Sequence, residues 1–395
     1  MVSVSDLFLL NPKSELEDNM KVGFIPMALV EDGFSGNHFY EERTWKDVKR
    51  GYCHFQNGDI GIAKISPCFE NRKSTIFKNL PNTYGAGTTE LVILRPIKVY
   101  TKFYLYLFKS DWYVKEGTKY FKGVVGQQRV HKEIFTDLHI PLPPFAEQQR
   151  IVEEIEYWFA LIDQIEQDKS DLQTAIRQTK SKILDLAIHG KLVPQNPNDE
   201  PASELLKRIN PKAEITCDNG HYPVGWIDVI LGDIFYHNTG KALNSSNKEG
   251  VLRNYLTTSN VYWNQFDLSL VKQMPFRDNE LEKCTVQKGD LLVCEGGDVG
   301  RSAIWNFDYN ICIQNHIHRL RPKGDLNVSF YYYVLRFLKE HNRIGGKGIG
   351  LLGLSSNELH KIGMPLPPRK EQDRIVLKIE ELFPVLDNIQ NALEA

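Results

Sequence analysis

Two short segments of the chain combine side chains that can contact nucleic acid with glycines that let the backbone approach a phosphate. They span residues 126–132 and residues 343–348. Arginine can read guanine, glutamine can read adenine through paired hydrogen bonds, and lysine neutralises phosphates. A solvated surface loop is the alternative interpretation of both segments. The residues predicted to contact DNA are Gln127, Gln128, Arg129, His131, Lys132, Arg343 and Lys347.

The sequence motifs of nucleotide-driven and methyl-transfer catalysis do not occur in the chain. There is no Gly-x-x-x-x-Gly-Lys-Ser/Thr phosphate loop. The glycine-rich stretch at residues 296–300 follows an apolar run, which is typical of a turn that ends a strand. None of the Asn-Pro pairs continues into the Asn-Pro-Pro-aromatic loop of an amino-methyltransferase. The sequence therefore predicts a chain with no catalytic residue and no cofactor of its own.

Two other patterns could bind a metal, but each has a simpler explanation. Residues 67–73 hold the carboxylate and the lysine of a metal-dependent nuclease without a partner acid. His316 and His318 alternate on a predicted strand and therefore share one face, but no third ligand lies near them in the sequence. Chance spacing explains the first pattern, and hydrogen-bonding histidines explain the second. The sequence predicts no metal site.

The composition is that of a globular protein. The chain is 42% apolar and 25% charged, and no apolar run is long enough to cross a membrane. The first residues lack the basic region of a signal peptide, and the cysteines contain no Cys-x-x-Cys pair, so reduced cytosolic thiols are expected. The net charge is −2, yet residues 1–144 carry +3 and residues 211–368 carry +1. The larger segments are thus mildly basic, which permits a nucleic-acid partner.

An internal repeat organises the chain. The Pro-Leu-Pro-Pro motif at residues 141–144 recurs 224 residues later at residues 365–368, and both copies continue into Glu-Gln and then Arg-Ile-Val. Such a match predicts a tandem duplication. Each large domain combines short apolar and aromatic runs with one amphipathic helix, whose aromatic residues should face the core. Each domain is therefore predicted to be α+β. The predicted parts are a first domain over 1–142, a helix and connector over 143–210, a second domain over 211–366 and a shorter helix over 367–395.

The segments that follow the two Pro-Leu-Pro-Pro motifs carry apolar residues at alternating spacings of four and three. This pattern predicts a coiled-coil seam on a long helix, which would span roughly 65 Å, and on its shorter copy. We expect the two helices to pair as an antiparallel intramolecular coiled coil, the alternative being that each packs on its own domain. The predicted coiled-coil or partner-interface residues are Ile151, Ile155, Trp158, Ile162, Ile165, Leu172, Ile176, Ile183, Ile375, Ile379, Leu382, Leu386 and Ile389.

The whole arrangement resembles the specificity subunit of a type I restriction-modification enzyme. The resemblance covers nearly the full chain and rests most specifically on residues 141–152 and their copy at residues 365–376. Further marks of the family lie at residues 63–71, 87–90, 189–194, 199–202 and 223–226.

The resemblance implies a noncatalytic DNA reader in a bacterial or archaeal cytoplasm. Two target recognition domains would each recognise one half of a bipartite sequence in double-stranded DNA, with the coiled coil as spacer. The helices would dock two methyltransferase subunits that carry S-adenosylmethionine. Two restriction subunits, which use ATP and Mg²⁺, would complete the complex.

The chain departs from the family pattern at two places. The second helix is much shorter than the first, and the first recognition domain begins almost directly at residue 1. These departures leave an inactive or truncated specificity variant as one alternative. A coiled-coil scaffold that binds other proteins is the second alternative.

Overall fold

A computed structural model describes residues 1–119, 121–123, 128–213, 215, 222–243, 249–344 and 354–394. The chain divides into two units, residues 1–166 and residues 167–395. The division falls inside the long central helix, so the N-terminal part of that helix belongs to the first unit. Among the described residues, no helix has both the length and the apolar composition that a membrane span requires.

The first unit combines short strands with short helices and ends in the long helix. Its described strands are β1 (Val2–Ser3), β2 (Phe8–Leu10), β3 (Lys21–Ile25), β4 (Glu41–Thr44), β5 (Cys53–Gln56), β6 (Ile60–Ala63), β7 (Ser74–Ile76), β8 (Tyr84–Gly87), β9 (Leu91–Pro96), β10 (Phe121–Lys122), β11 (Arg129–Val130) and β12 (His139–Ile140). Its helices are α1 (Val4–Leu7), α2 (Trp45–Val48), α3 (Thr101–Lys109), α4 (Asp111–Thr118) and α5 (Phe145–Ile188), the last of which continues into the second unit.

Two four-stranded sheets form the body of the first unit. One has the strand order β2-β9-β6-β7, with antiparallel neighbours throughout. The other has the order β4-β3-β8-β5 and contains one parallel pair, β3 with β8. A separate antiparallel pair, β1 with β12, ties the first residues of the chain to the segment that leads into α5.

The second unit has the same mixture of elements. Its described strands are β13 (Ile227–Ile230), β14 (Phe235–Thr239), β15 (Val251–Leu256), β16 (Val261–Tyr262), β17 (Gln265–Phe266), β18 (Lys272–Phe276), β19 (Thr285–Val286), β20 (Leu291–Cys294), β21 (Ser302–Ile304), β22 (Ile311–Ile313), β23 (Ile317–Pro322) and β24 (Gly363–Leu366). Its further helices are α6 (Ala202–Ile209), α7 (Leu231–Ile234), α8 (Asp278–Cys284), α9 (Val328–Glu340), α10 (Ser356–His360) and α11 (Arg369–Glu394).

The sheets of the second unit repeat those of the first. Their strand orders are β14-β23-β20-β21 and β18-β15-β22-β19, and the second sheet again contains one parallel pair, β15 with β22. Strand β13 pairs with β24 as β1 pairs with β12. The predicted duplication of an α+β domain is therefore confirmed in the fold.

Aromatic residues at equivalent positions occupy the centre of each core. In the first unit the rings of Phe8 and Tyr104 meet edge to face, with their centroids 5.3 Å apart. In the second unit Phe235 and Tyr331 make the same contact at 5.2 Å. Both tyrosine side chains are fully buried. The prediction that the aromatic runs of α3 and α9 serve the core is confirmed for these residues.

Candidate functional site

A buried glutamine joins the start of each long helix to its own domain. In the first unit the Gln148 side chain accepts a hydrogen bond from the Tyr100 backbone N–H at 2.9 Å and donates one to the Pro143 carbonyl at 2.8 Å. Gln372 makes the same two contacts in the second unit, with the Asn327 backbone N–H at 2.9 Å and with the carbonyl of the equivalent proline at 3.0 Å. Buried backbone groups need such partners, which explains why a glutamine follows each Pro-Leu-Pro-Pro motif.

A buried aspartate paired with an arginine also occurs once in each unit. The Asp59 carboxylate accepts hydrogen bonds from Nε and Nη2 of Arg95 at 2.9 and 2.8 Å. Asp290 accepts the same two bonds from Arg321, both at 2.7 Å. Each aspartate also accepts a backbone N–H bond from the residue three positions earlier. The pairs tie the β5–β6 turn to β9 and the β19–β20 turn to β23, so these charged residues are structural in both units.

Helices α5 and α11 pack in opposite directions within the second unit. Toward the end of α11, Asp387 and Gln390 contact the Lys180 side chain of α5. At the start of α11, Glu371 accepts a hydrogen bond at 2.7 Å from Gln195, which lies just after α5. The predicted antiparallel pairing is therefore confirmed for the C-terminal part of α5. The predicted interface residues that are buried there are Ile176, Ile183, Ile375 and Ile379, and those partly buried are Leu382 and Leu386.

The N-terminal part of α5 packs on the first domain instead. Ile151 lies against the core of the first unit, and Ile155 is partly buried. The ring of Phe159 contacts that of Tyr106, with their centroids 5.8 Å apart. The two interpretations of the heptad pattern thus each hold for one part of the same helix.

The remaining residues of the predicted seam face solvent. Trp158, Ile162, Ile165 and Leu172 on α5 are 43–58% exposed, and Ile389 on α11 is 41% exposed. Their prediction as intramolecular contacts is therefore corrected. For the four α5 residues the physical reason is length, because α11 has 26 residues against 44 in α5 and can cover only part of it. The four α5 residues form an exposed apolar stripe.

The first segment predicted to contact nucleic acid returns to the end of β6, because the Val130 N–H donates to the Lys64 carbonyl at 2.8 Å. In the second unit the Leu354 N–H donates to the Glu295 carbonyl at 2.9 Å, at the end of the equivalent strand β20. Of the second predicted segment, the structure describes only Arg343 and Ile344. Arg343 is exposed just after α9. Two of the predicted residues, Gln127 and Lys347, lie outside the described residues.

Arg129 is already engaged within the first unit. Its guanidinium donates two hydrogen bonds to the Glu90 carboxylate, at 2.9 and 2.8 Å. This pairing holds the pKa of Glu90 below its usual range, so the carboxylate stays ionised. Because the guanidinium fork is occupied, the geometry favours a positioning role for Arg129. It holds the segment that carries Gln128, His131 and Lys132, of which Lys132 is exposed.

A cavity of about 480 Å³ lies beside the Arg129 pair. Its lining is apolar at residues such as Leu10 and Val92 and basic at Lys64, Lys122 and Lys132. The rim therefore concentrates positive charge, as a surface that faces phosphates would.

Two histidines fill the corresponding region of the second unit. Nε2 of His237 lies 3.0 Å from Nδ1 of His318, whose Nε2 lies 2.8 Å from the Leu354 carbonyl. Burial lowers the pKa of His237 to about 4, and the neighbouring histidines add to the shift, so His237 is uncharged at neutral pH. His318 is thus a buried hydrogen-bonding residue. Among the described residues, no three His, Cys, Asp or Glu side chains are grouped as metal ligands.

The nuclease-like segment at residues 67–73 also has structural contacts. Lys73 donates to the Val30 carbonyl at 2.9 Å and lies 3.0 Å from the Asp32 carboxylate. Glu70 accepts a hydrogen bond from the Ser66 hydroxyl at 2.7 Å. The lysine and the glutamate therefore have separate partners.

Comparison with known proteins identifies what the duplicated domain is similar to. Residues 5–174 and 223–395 match the sequence model of the type I restriction modification DNA specificity domain. The chain is 31% identical to the specificity subunit of the type I restriction enzyme EcoAI from Escherichia coli, over 96% of this chain and 77% of that protein. It is 30% identical to the EcoEI specificity subunit from Escherichia coli, over 100% of this chain and 79% of that protein.

The fold is also similar to a solved structure. The crystal structure of the HsdS subunit from Thermoanaerobacter tengcongensis matches with a TM-score of 0.64 and 18% identity, over 100% of this chain and 90% of that chain. The duplicated domains, the paired helices and the two matched segments define a DNA-specificity protein. The chain belongs to the type I restriction-modification DNA specificity family, and it is a noncatalytic recognition subunit of such a system. Catalysis in these systems lies on the methyltransferase and restriction subunits.

Proposed function

We propose that this subunit reads a bipartite DNA target, with one half of the target contacted by each α+β domain. The observation that carries the proposal is the duplication of the whole domain, which includes its two sheets, its buried aspartate–arginine pair and its glutamine contact to the following helix. Two copies of one scaffold can present the same framework to two half-sites. Different surface side chains on that framework then give the two half-sites different sequences.

The exposed apolar stripe of α5 supports a protein partner. The stripe exposes four large apolar side chains along one helix, those of Trp158, Ile162, Ile165 and Leu172. Such surfaces mark protein–protein contacts. In the proposal, two methyltransferase subunits that carry S-adenosylmethionine dock on the helices. Two restriction subunits that use ATP and Mg²⁺ join them in the cytoplasm. These assignments rest on membership of the family.

The DNA-reading role predicts a steep dependence of duplex affinity on salt. Each phosphate contact releases counterions from the DNA, so added salt weakens binding. With four such contacts, raising the salt from roughly 50 to 200 mM should lower the duplex affinity about 100-fold. The measurement is fluorescence anisotropy of the complex between this chain and its methyltransferase subunit, with a labelled duplex.

Two variants sharpen the test of the salt dependence. Lys132→Ala should reduce the slope of log affinity against log salt by about 1 if this exposed lysine contacts a phosphate. Lys378→Ala is the matched control, because Lys378 lies on α11 and pairs with Glu381. No duplex binding, or an affinity that salt leaves unchanged, would contradict the proposal.

A further inference from the structure

A cavity of about 520 Å³ opens on the second unit beside strands β15 and β18. One cation and several amide groups face it, and no carboxylate occurs among the described residues that line it. The lining residues that can form directed hydrogen bonds are Arg253, Asn254, Gln273, Thr285 and Asn310. The cavity is therefore a polar, positively biased recess in the second domain.

The first unit has a filled surface at the corresponding place. The register of β3 with β4 is the same as that of β15 with β18, so Gly23 opposite Glu42 corresponds to Asn254 opposite Gln273. By the same register Arg253 corresponds to Val22, which is fully buried in an apolar cluster with Phe24 and Trp45.

The contrast between the units concerns residue type as well as shape. The second unit has Arg253 where the first has Val22, and Asn254 where the first has Gly23. It has Gln273 in place of Glu42. Glu42 lies 3.4 Å from Lys21, so its charge is partnered within the first unit. At these three positions the second unit therefore carries side chains of the types that read base edges. The first unit has a valine, a glycine and an already paired glutamate there.

The side chains around the cavity are available for an external partner. Arg253 is exposed, and its guanidinium has no hydrogen bond to any residue that the structure describes. Nε2 of Gln273 donates to Oδ1 of Asn254 at 2.9 Å. This bond orients the amides, and among the described residues the Gln273 oxygen and the Asn254 NH₂ group have no other hydrogen-bond partner. Lys272, next to Gln273 on β18, is also exposed and suits a phosphate.

We propose that this recess is the base-reading surface of the second domain, with Arg253 and the Asn254–Gln273 pair as residues that determine the sequence of one half-site. The proposal rests on the proposed function of the subunit. Arginine discriminates guanine by two hydrogen bonds to one base, and asparagine and glutamine discriminate adenine in the same way. A surface that is present in one copy of a duplicated domain and filled in the other makes the two half-sites chemically different.

The test uses the complex of this chain with its methyltransferase subunit and a set of duplexes that carry every single-base change in both half-sites. Arg253→Ala should lower the affinity for the target about 5- to 100-fold and remove the preference at one or two positions of one half-site. The other half-site should keep its preference. Arg253→Lys retains the charge but not the two-bond geometry, so it should lose the base preference and keep the salt dependence.

Matched controls separate base reading from folding and from charge. Arg43→Ala alters a partly exposed arginine in the equivalent strand pair of the first unit, which pairs with Glu41 and lies over the Phe24 ring, and it should leave both half-site preferences unchanged. Thermal unfolding should be the same for Arg253→Ala and the unaltered complex, since Arg253 is exposed. A uniform loss of affinity across all sequences, or unchanged preferences, would overturn the proposal. Failure of the unaltered complex to bind any duplex would instead contradict the proposed function and this inference with it.

Discussion

Replacing Asp290 with alanine is expected to destabilise the second unit by about 3 kcal/mol. The substitution leaves the Arg321 guanidinium without the carboxylate that accepts two of its hydrogen bonds at 2.7 Å, and it removes the acceptor of the Gln287 backbone N–H. Because Asp290 is 1% exposed, water cannot replace these bonds without opening the turn. The measurement is hydrogen–deuterium exchange in urea, read on peptides that contain β20 and β23.

Two comparisons make the Asp290 result specific. Asp59→Ala should produce the same loss of protection in β6 and β9 of the first unit and leave β20 and β23 unchanged, because each pair lies within one unit. Asp308→Ala is the exposed control, since Asp308 pairs with Lys288 at the surface, where solvent screens the pair, and the substitution should leave the protection of both strands unchanged. Equal protection in the Asp290 and Asp308 variants would show that the buried pair does not hold the second domain together.

Replacing Gln148 with alanine is expected to lower the free energy of local unfolding at the start of α5 by about 2 kcal/mol. The reason is that the Tyr100 N–H and the Pro143 carbonyl both lose their buried hydrogen-bond partner. The neighbouring variant Gln149→Ala serves as control, since Gln149 is exposed on the same turn of α5. Hydrogen exchange should accelerate at residues 99–105 and 143–152 in the first variant alone.

The Gln148 variant also has a functional readout. If the glutamine fixes the helix to the domain that contacts DNA, the Gln148→Ala complex should bind its target more weakly, and the Gln149→Ala complex should bind it normally. Faster exchange with unchanged target affinity would show that the contact serves stability and not the positioning of the reader.

The duplication could be predicted from the sequence because the repeated motif consists of residues that structure requires. The prolines lead into each helix, and the glutamine that follows satisfies two buried backbone groups, so both copies retain them. Heptad spacing likewise predicted which face of each helix is apolar. It could not say which surface covers that face, since apolar side chains carry no information about their partner. Along its length, α5 therefore contacts its own domain, then solvent, and then α11.

The interaction of Arg129 with Glu90 could not be predicted, because the two residues are 39 positions apart and only the folded sheet brings them together. The recess around Arg253 was missed for a related reason. Its members lie on different strands and are recognisable only after the two units are compared in register. A signal did exist, since the Gly-Asp pairs at residues 58–59 and 289–290 define the spacing that relates the two sheets.

The most direct test of the central claim is long-read detection of methylated adenine in cells that express the cognate methyltransferase subunit, with and without this chain. We expect one split motif, with two specific halves separated by a fixed nonspecific spacer, to be methylated only when the chain is present. In cells with the Arg253→Ala variant, one half of that motif should become degenerate. An unchanged pattern of methylation in the absence of the chain, with the methyltransferase subunit shown to be present, would contradict its role as the reader of the target.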